Sequence, residues 1–172
     1  MSAVPKEAPA TAARRDEVED FLYYENDLLD RWELSEWYGL FDKNGMYHIV
    51  TPGVKNADTA SPDDTLFLVS DDMDRLGQRI DRLSKTSAHV EFPRSTTSHH
   101  ISNVRVEKID GEEVVVRARF IIYRTKFDDT VRFFGHQIYR LVRFEDTFRI
   151  RDKRCMLDFD TLSHQGKVTI IL

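Results

Sequence analysis

After Pro93 the sequence settles into the two-residue alternation of β-strands, and this feature limits what the chain can become more than any other. In "EVVVRARFIIYRTKF" the residues Val114, Val116, Ala118, Phe120 and Ile122 fall on one face, because successive strand side chains point to opposite sides. "HISNVRVEKI" precedes it across the dipeptide "DG", a strong hairpin signal. A second pair, "VRFFGHQIYRLVRFE" and "TFRIRDKRCMLDFD", flanks Glu145 and Asp146. Gly135, inside a strand, predicts a bulge or bend. Long strands joined in order by tight turns predict an antiparallel meander.

Upstream of Pro93 the period lengthens. From Arg14 to Arg31 the apolar residues are Val18, Phe21, Leu22, Leu28, Leu29 and Trp32, with Glu25 as the polar gap, which is helical spacing with one buried face. "LSEWYGLF" predicts a short second helix, with Ser35 as N-cap, Glu36 in its first turn, and Trp37, Leu40 and Phe41 as its apolar side. "DKNG" predicts the turn that ends it. "MYHIV" alternates as a short strand stopped by Thr51, Pro52 and Gly53, and residues 53–65 read as a loop. In "VSDDMDRLGQRIDRLS" Ser70 is the expected cap, and Asp71, Asp72 and Asp74 suit the positive end of a helix dipole. Leu76, Ile80 and Leu83 recur at helical spacing as an inward face. Arg75, Arg79 and Arg82 form an adjoining stripe, either a solvated charged face or a subunit contact. Helices first and a meander after them predict an α+β domain over residues 14–172: a curved antiparallel sheet with the N-terminal helices packed on one face. Residues 1–13, "MSAVPKEAPATAA", read as a flexible N-terminal arm.

Composition bounds the function. With 172 residues, 41% of them hydrophobic and 32% charged, one globular domain with a sizeable core is expected. A formal net charge of -5, with basic residues interspersed among acidic ones, argues against a general nucleic-acid partner. No apolar run approaches the roughly 20 residues of a membrane-spanning helix. The arm lacks the apolar core of a signal peptide, so a cytoplasmic protein is expected. The one cysteine, Cys155, can form no internal disulfide and cannot by itself ligate an iron–sulfur cluster. Alternation sets it beside Leu157 as a small buried residue.

The histidines are His48, His89, His99, His100, His136 and His164. A facial triad needs two histidines and a carboxylate converging on one iron. No two of these are spaced i, i+4 on a helix, and there is no His-x-His strand pair. His99 and His100, in "FPRSTTSHHISNV", are neighbours in a strand and so face opposite ways. At most one can serve a given pocket, and both fit a structural junction where the loop enters the sheet.

The ordered set of motifs resembles the small (β) subunit of aromatic-ring-hydroxylating dioxygenases, within the nuclear transport factor 2-like, or cystatin-like, cone fold. "VEDFLYYENDLLDRWELSEWYGLF" is similar to that family's opening helix pair, and "DDMDRLGQRIDRL" to its helix with an Arg-x-x-Arg-Leu ending. "FPRSTTSHHISNV" resembles its Pro, Ser, Thr, His, Asn-Val run, and "FRIRDKRCMLD" its last strand. These cover residues 18–158 in the family's order. Thr96 and Ser98 stand where the family often has arginines; His99 falls on its usual His, and His100 on a usually apolar position.

The resemblance implies a structural subunit with no catalytic, cofactor or metal residues of its own. It implies hexamers of three large (α) and three small chains, with the Rieske [2Fe-2S] cluster and the mononuclear Fe(II) in the large subunit. Arg75, Arg79, Arg82, His99 and His100 are then the expected interface residues. The segments "HQGKVTIIL", "YRTKF" and "AHVEF" resemble the benzoate, cumate and biphenyl-type branches, and imply a carboxylated or alkylated monocyclic aromatic as the complex's substrate. The rival expectation is a stand-alone dehydratase or isomerase of the same cone fold, with Tyr24, Asp42, Tyr47, His99 and His136 as its pocket. A third is a ligand-binding or scaffolding module without a dioxygenase partner.

Overall fold

A computed structural model describes residues 13–85, 91–162 and 166–172. Residues 1–12 of the expected arm, together with His89 and His164, lie outside the described residues. The elements run α1 (Arg15–Asp30), α2 (Leu34–Tyr38), β1 (Phe41–Val50), β2 (Phe67–Asp72), α3 (Met73–Ser84), β3 (Thr96–Asp110), β4 (Glu113–Lys126), β5 (Asp129–Phe144) and β6 (Thr147–Leu157). The strands form one six-stranded sheet in the order β2-β1-β6-β5-β4-β3.

The expected meander is β3 to β6, paired antiparallel throughout. Its three turns have two residues each. Gly111 takes the left-handed conformation in the first, and Phe127 and Glu145 take it in the others without being glycine. Beyond the meander one pairing departs from the antiparallel pattern: β1 lies parallel to β6, with Ile49 opposite Cys155. Gly135 is no bulge, because the β4–β5 pairing runs unbroken past it. A Cβ there would sit 1.9 Å from the carbonyl oxygen of Met156, so the glycine is set by the approach of the β6 backbone.

Two caps differ from expectation. Ser35 lies within the five-residue α2, whose N-cap position is Glu33 and makes no side-chain capping bond. Ser70 lies in β2, because pairing with β1 extends residues 67–72 to the edge of α3. Asp72 caps instead, its carboxylate accepting the Arg75 backbone N–H at 2.9 Å. "DKNG" is part of β1, where the register slips between Phe41 and Met46 in a bulge, and α2 ends earlier at Gly39.

The helices cover one face of the sheet. Val18, Phe21, Leu22, Leu28 and Leu29 of α1, Trp37 of α2, and Leu76 and Ile80 of α3 pack on Val114, Val116, Phe120, Ile122, Phe133, Leu141, Phe148 and Ile150. The outer face is covered in part by the β1–β2 loop, where Val54, Ala57 and Ala60 pack on Val50, Phe67 and Met156. The Arg154 guanidinium pins that loop by donating to the carbonyls of Ala57, Asp58 and Ala60 at 3.3, 3.0 and 2.9 Å.

Candidate functional site

The strands aim an unusual set of polar side chains into the cone. Tyr47 of β1 and Tyr139 of β5 stand opposite Lys153 on either side of β6, so the three form a row across the sheet. A register slip in β6, opposite Arg140 and Leu141, sets the phase that turns Lys153 inward with Cys155 and Leu157. From above, α1 lowers Glu25 onto the row. Sequence periodicity made Glu25 a polar gap, yet it is fully buried, on the same stripe as Phe21, Leu22, Leu28 and Leu29.

Lys153 Nζ donates to Glu25 Oε1 at 2.7 Å, and Trp37 Nε1 donates to the same oxygen at 3.0 Å. The Tyr139 hydroxyl lies 2.8 Å from Glu25 Oε2 and 2.8 Å from Gln137 Oε1. It has one proton to give, and the carboxylate is the stronger acceptor. The Lys153 ammonium also lies 5.6 Å from the ring centres of Trp37 and Tyr139. A buried ion needs such compensation, since its desolvation costs several kcal/mol. Burial raises the Tyr139 hydroxyl well above its usual range, and the Glu25 charge adds to that. Burial likewise raises Tyr47, with the Cys155 thiol next in effect, and pushes the Cys155 thiol itself up to about 12. Cys155 is therefore a buried, protonated thiol, as its place beside Leu157 predicts.

The second polar cluster joins α1 to β3. His99 Nδ1 lies 2.5 Å from Asp30 Oδ1, and the His99 backbone N–H donates to Asp30 Oδ2 at 2.9 Å. Burial would raise the Asp30 carboxyl, but hydrogen bonds from the His99 ring and backbone outweigh it and hold the carboxyl below its usual range. His99 Nε2 donates to the Ile171 carbonyl at 3.2 Å. His100 faces the other way, exposed, its ring edge-on to Tyr123 at 5.8 Å and its Nε2 2.9 Å from Ser98 Oγ.

The five residues of the expected enzyme pocket are not brought together. Tyr24 is 48% exposed, because one helical step from Glu25 points it away from the sheet. Asp42 is paired with Arg151 at 3.3 Å in the β1 bulge. His136 takes an outer-face position of β5, between Asp58 at 2.9 Å and Asp158 at 3.4 Å. Only Tyr47 and His99 face the interior, and both are engaged with residues 171–172. Beside His99 the open cavity is about 10 Å³, on the order of one water-sized sphere. A wider cleft of about 350 Å³ lies between the β1 bulge and the start of α3, lined by Lys43, Met46, Asp72 and Asp74, and holds none of the five.

Of the arginine stripe, Arg79 is turned onto Asp71 at 2.6 Å, leaving Arg75 and Arg82 exposed. Asp30, Glu25, Tyr139 and Lys153 were missed by the sequence reading. The one usable signal was an acid centred on the α1 apolar stripe.

A Rieske cluster does not fit this chain, whose one cysteine is buried against Leu172 and Gln137. A facial triad does not fit the described residues either. His48 and His99 each meet a single carboxylate and His136 lies between two, so among the described residues no two histidines converge with a carboxylate on one point as a facial triad needs.

The family model for the ring hydroxylating beta subunit matches residues 24–164. The chain is 43% identical over 163 residues to the small oxygenase component of the p-cumate 2,3-dioxygenase system of Pseudomonas putida, covering 95% of this chain and 89% of that one. Its fold matches naphthalene 1,2-dioxygenase, solved with indole bound in the active site, with a TM-score of 0.78 at 15% identity over 92% of this chain and 85% of that one. It also matches the beta subunit of the benzoate 1,2-dioxygenase of Burkholderia mallei, with a TM-score of 0.71 at 20% identity over 96% and 100%.

Proposed function

The chain belongs to the ring-hydroxylating β-subunit family and is the small subunit of an aromatic-ring-hydroxylating dioxygenase, and from that premise we propose that its role is structural: it assembles with a large subunit that carries all of the redox chemistry. The observation that carries this reading is the spent interior. Among the described residues the acid, base and phenol groups that face the cone are already bonded within the chain: Glu25 to Lys153, Trp37 and Tyr139, His99 to Asp30 and Ile171, Tyr47 to Leu172. The Rieske cluster and mononuclear Fe(II) then belong to the large subunit, in a hexamer of three large and three small chains. His99 acts as a junction between α1, β3 and residue 171. Arg75, Arg82 and His100, being exposed, are the members of the expected set free to meet a partner.

The substrate of the complex is a carboxylated, alkyl-bearing monocyclic aromatic acid of the p-cumate kind. The 43% identity to the p-cumate small component supports this. The working compartment is the cytoplasm, and the lone buried thiol fits a reducing one. Among the described residues no helix is long and apolar enough to cross a membrane.

Metal analysis and light scattering on the chain, alone and with its large subunit, test the proposal. The expected outcome is iron only in the mixed complex, at a mass of six chains, with ring dihydroxylation only there. Stoichiometric iron in the chain alone, or turnover without a partner, would refute it.

A further inference from the structure

Ile170, Ile171 and Leu172 lie inside the cone, at 6%, 4% and 0% exposure. They do not add a strand. Among the described residues no backbone–backbone hydrogen bond joins 167–172 to the sheet. Side chains read their backbone instead. The Leu172 N–H donates to Tyr47 Oη at 3.0 Å, and the Cys155 thiol donates to the Leu172 carbonyl at 3.6 Å. His99 Nε2 donates to the Ile171 carbonyl, and Thr169 Oγ1 donates to Glu91 Oε1 at 2.5 Å. Apolar side chains buried against a wall, with a few side-chain donors and acceptors fixing the backbone, is how a protein holds a ligand. Phe159 and Leu162 still pack on the core, but Gly166, in the left-handed conformation, and Lys167 are exposed, so the segment beyond them can swing about Gly166 without breaking a strand pair.

The wall behind the segment has the parts of a binding site. Leu29, Leu34 and Thr97 line it beside His99. His99 presents Nε2 inward, and its other nitrogen is held by Asp30. We propose that the cone interior is a ligand site held shut by the chain's own segment Val168–Leu172. When that segment swings out, the site takes a small apolar molecule carrying a carbonyl or carboxylate oxygen. The oxygen replaces the Ile171 carbonyl on His99 Nε2, and the apolar body fills the space of Ile170 to Leu172. The inference qualifies the bonded interior on which the structural role rests: it makes the bonds of His99 and Tyr47 to residues 171–172 reversible, while Glu25, Lys153, Trp37 and Tyr139 stay bonded to one another.

Two experiments on the full chain test it. In the first, Ile170→Asp with Ile171→Asp drives the segment out, and 2-naphthoate binding is followed by its fluorescence. The expected result is binding at least tenfold tighter than to the unaltered chain. The acetylated peptide Val-Thr-Ile-Ile-Leu should displace the probe and a scrambled peptide should not. Adding His99→Asn should weaken binding at least tenfold. Equal binding to both chains, or no displacement by the peptide, overturns the proposal. The second uses the unaltered chain and so does not depend on the variant folding: native-state hydrogen exchange of the Leu172 amide. A latch opens locally, so this amide should exchange at least a hundredfold faster than those of Phe120 and Tyr139 at low denaturant. Exchange at the core rate would make the segment integral core and overturn the proposal.

Discussion

On the inner face of the sheet Glu25 and Lys153 are both fully buried, and the carboxylate is met by an ammonium, an indole N–H and a phenol. On the outer face His48 Nε2 and Asp152 Oδ1 stand 3.6 Å apart, too far for a hydrogen bond, and His48 Nδ1 and Asp152 Oδ1 are buried without a hydrogen-bond partner. The 3.6 Å proximity suggests an ion pair, but the shifts point the other way. Burial, with the Arg154 charge second, lowers His48 to about 4, and burial raises Asp152 to about 6 against the pull of Arg154 and Arg140. Between those values both groups are neutral, so burial outweighs their attraction. A buried charge persists where donors converge on it, and a buried titratable group without them sheds its charge.

The largest effect should come from breaking the inner pair. Lys153→Met leaves the Glu25 carboxylate buried without its cation and should cost about 3–5 kcal/mol. Replacing both partners, Glu25→Leu with Lys153→Met, should recover most of that loss in urea unfolding. On the outer face Asp152→Asn should cost under about 1 kcal/mol at pH 7, or stabilise, because it removes a poorly compensated charge. If the two single variants lost stability equally, the contrast between the faces would fail.

Next is Gly135→Ala. Its methyl would meet the Met156 carbonyl, so β5 and β6 must part, at a cost of about 1–3 kcal/mol. The expected sign is a lower Tm with no change in the isolated β3–β4 hairpin amides by hydrogen exchange.

The adjacent histidines repeat the contrast in miniature. His99→Asn removes the ring's bonds to Asp30 and Ile171 and should cost about 1–3 kcal/mol. His100→Asn touches an exposed ring and should stay within about 0.5 kcal/mol. Turnover per assembled complex should stay near the wild-type value in both. A rate loss of about a hundredfold in fully assembled His99→Asn complex would instead mark a general acid or base.

The smallest effect is on pH dependence. A His whose folded pKa is depressed costs stability as pH falls from about 6.5 toward about 4, because the unfolded chain takes the proton first. An Asp whose folded pKa is raised contributes stability that is full below its usual 3.8 and is lost as pH rises through about 6. The slopes oppose each other between pH 4 and 6, so the pair's net effect there should be nearly flat. Asp152→Asn should uncover a rise of stability with pH, and His48→Gln a fall, each at most about 1.4 kcal/mol per pH unit. Urea unfolding at half-unit pH steps would show it; parallel profiles for the two variants would mean the groups do not titrate as described.

Much of the scaffold was legible because it is periodic. The inward face from Val114 to Ile122, the α1 stripe and the opposed His99 and His100 all follow from where side chains point in a strand or helix. The cap at Ser70 failed because β1 recruits it into β2, and a local propensity yields to a tertiary pairing. The expected pocket failed for a related reason. Residue type nominated Tyr24 and His136, but their phase on α1 and β5 sends them outward.

By itself, then, the sequence determined the helices, the four meander strands with their order and hairpins, and the buried thiol, because each is written in a window of a few residues; β2 was not among them. The tertiary structure alone decided the parallel junction of β1 with β6, the partnership of Glu25 with Lys153 across 128 positions, that of Asp30 with His99 across 69, and the place of residues 170–172 inside the cone. Whether a charge is buried depends on the donors that surround it, and here those donors arrive from segments far apart in the chain, which no local pattern records.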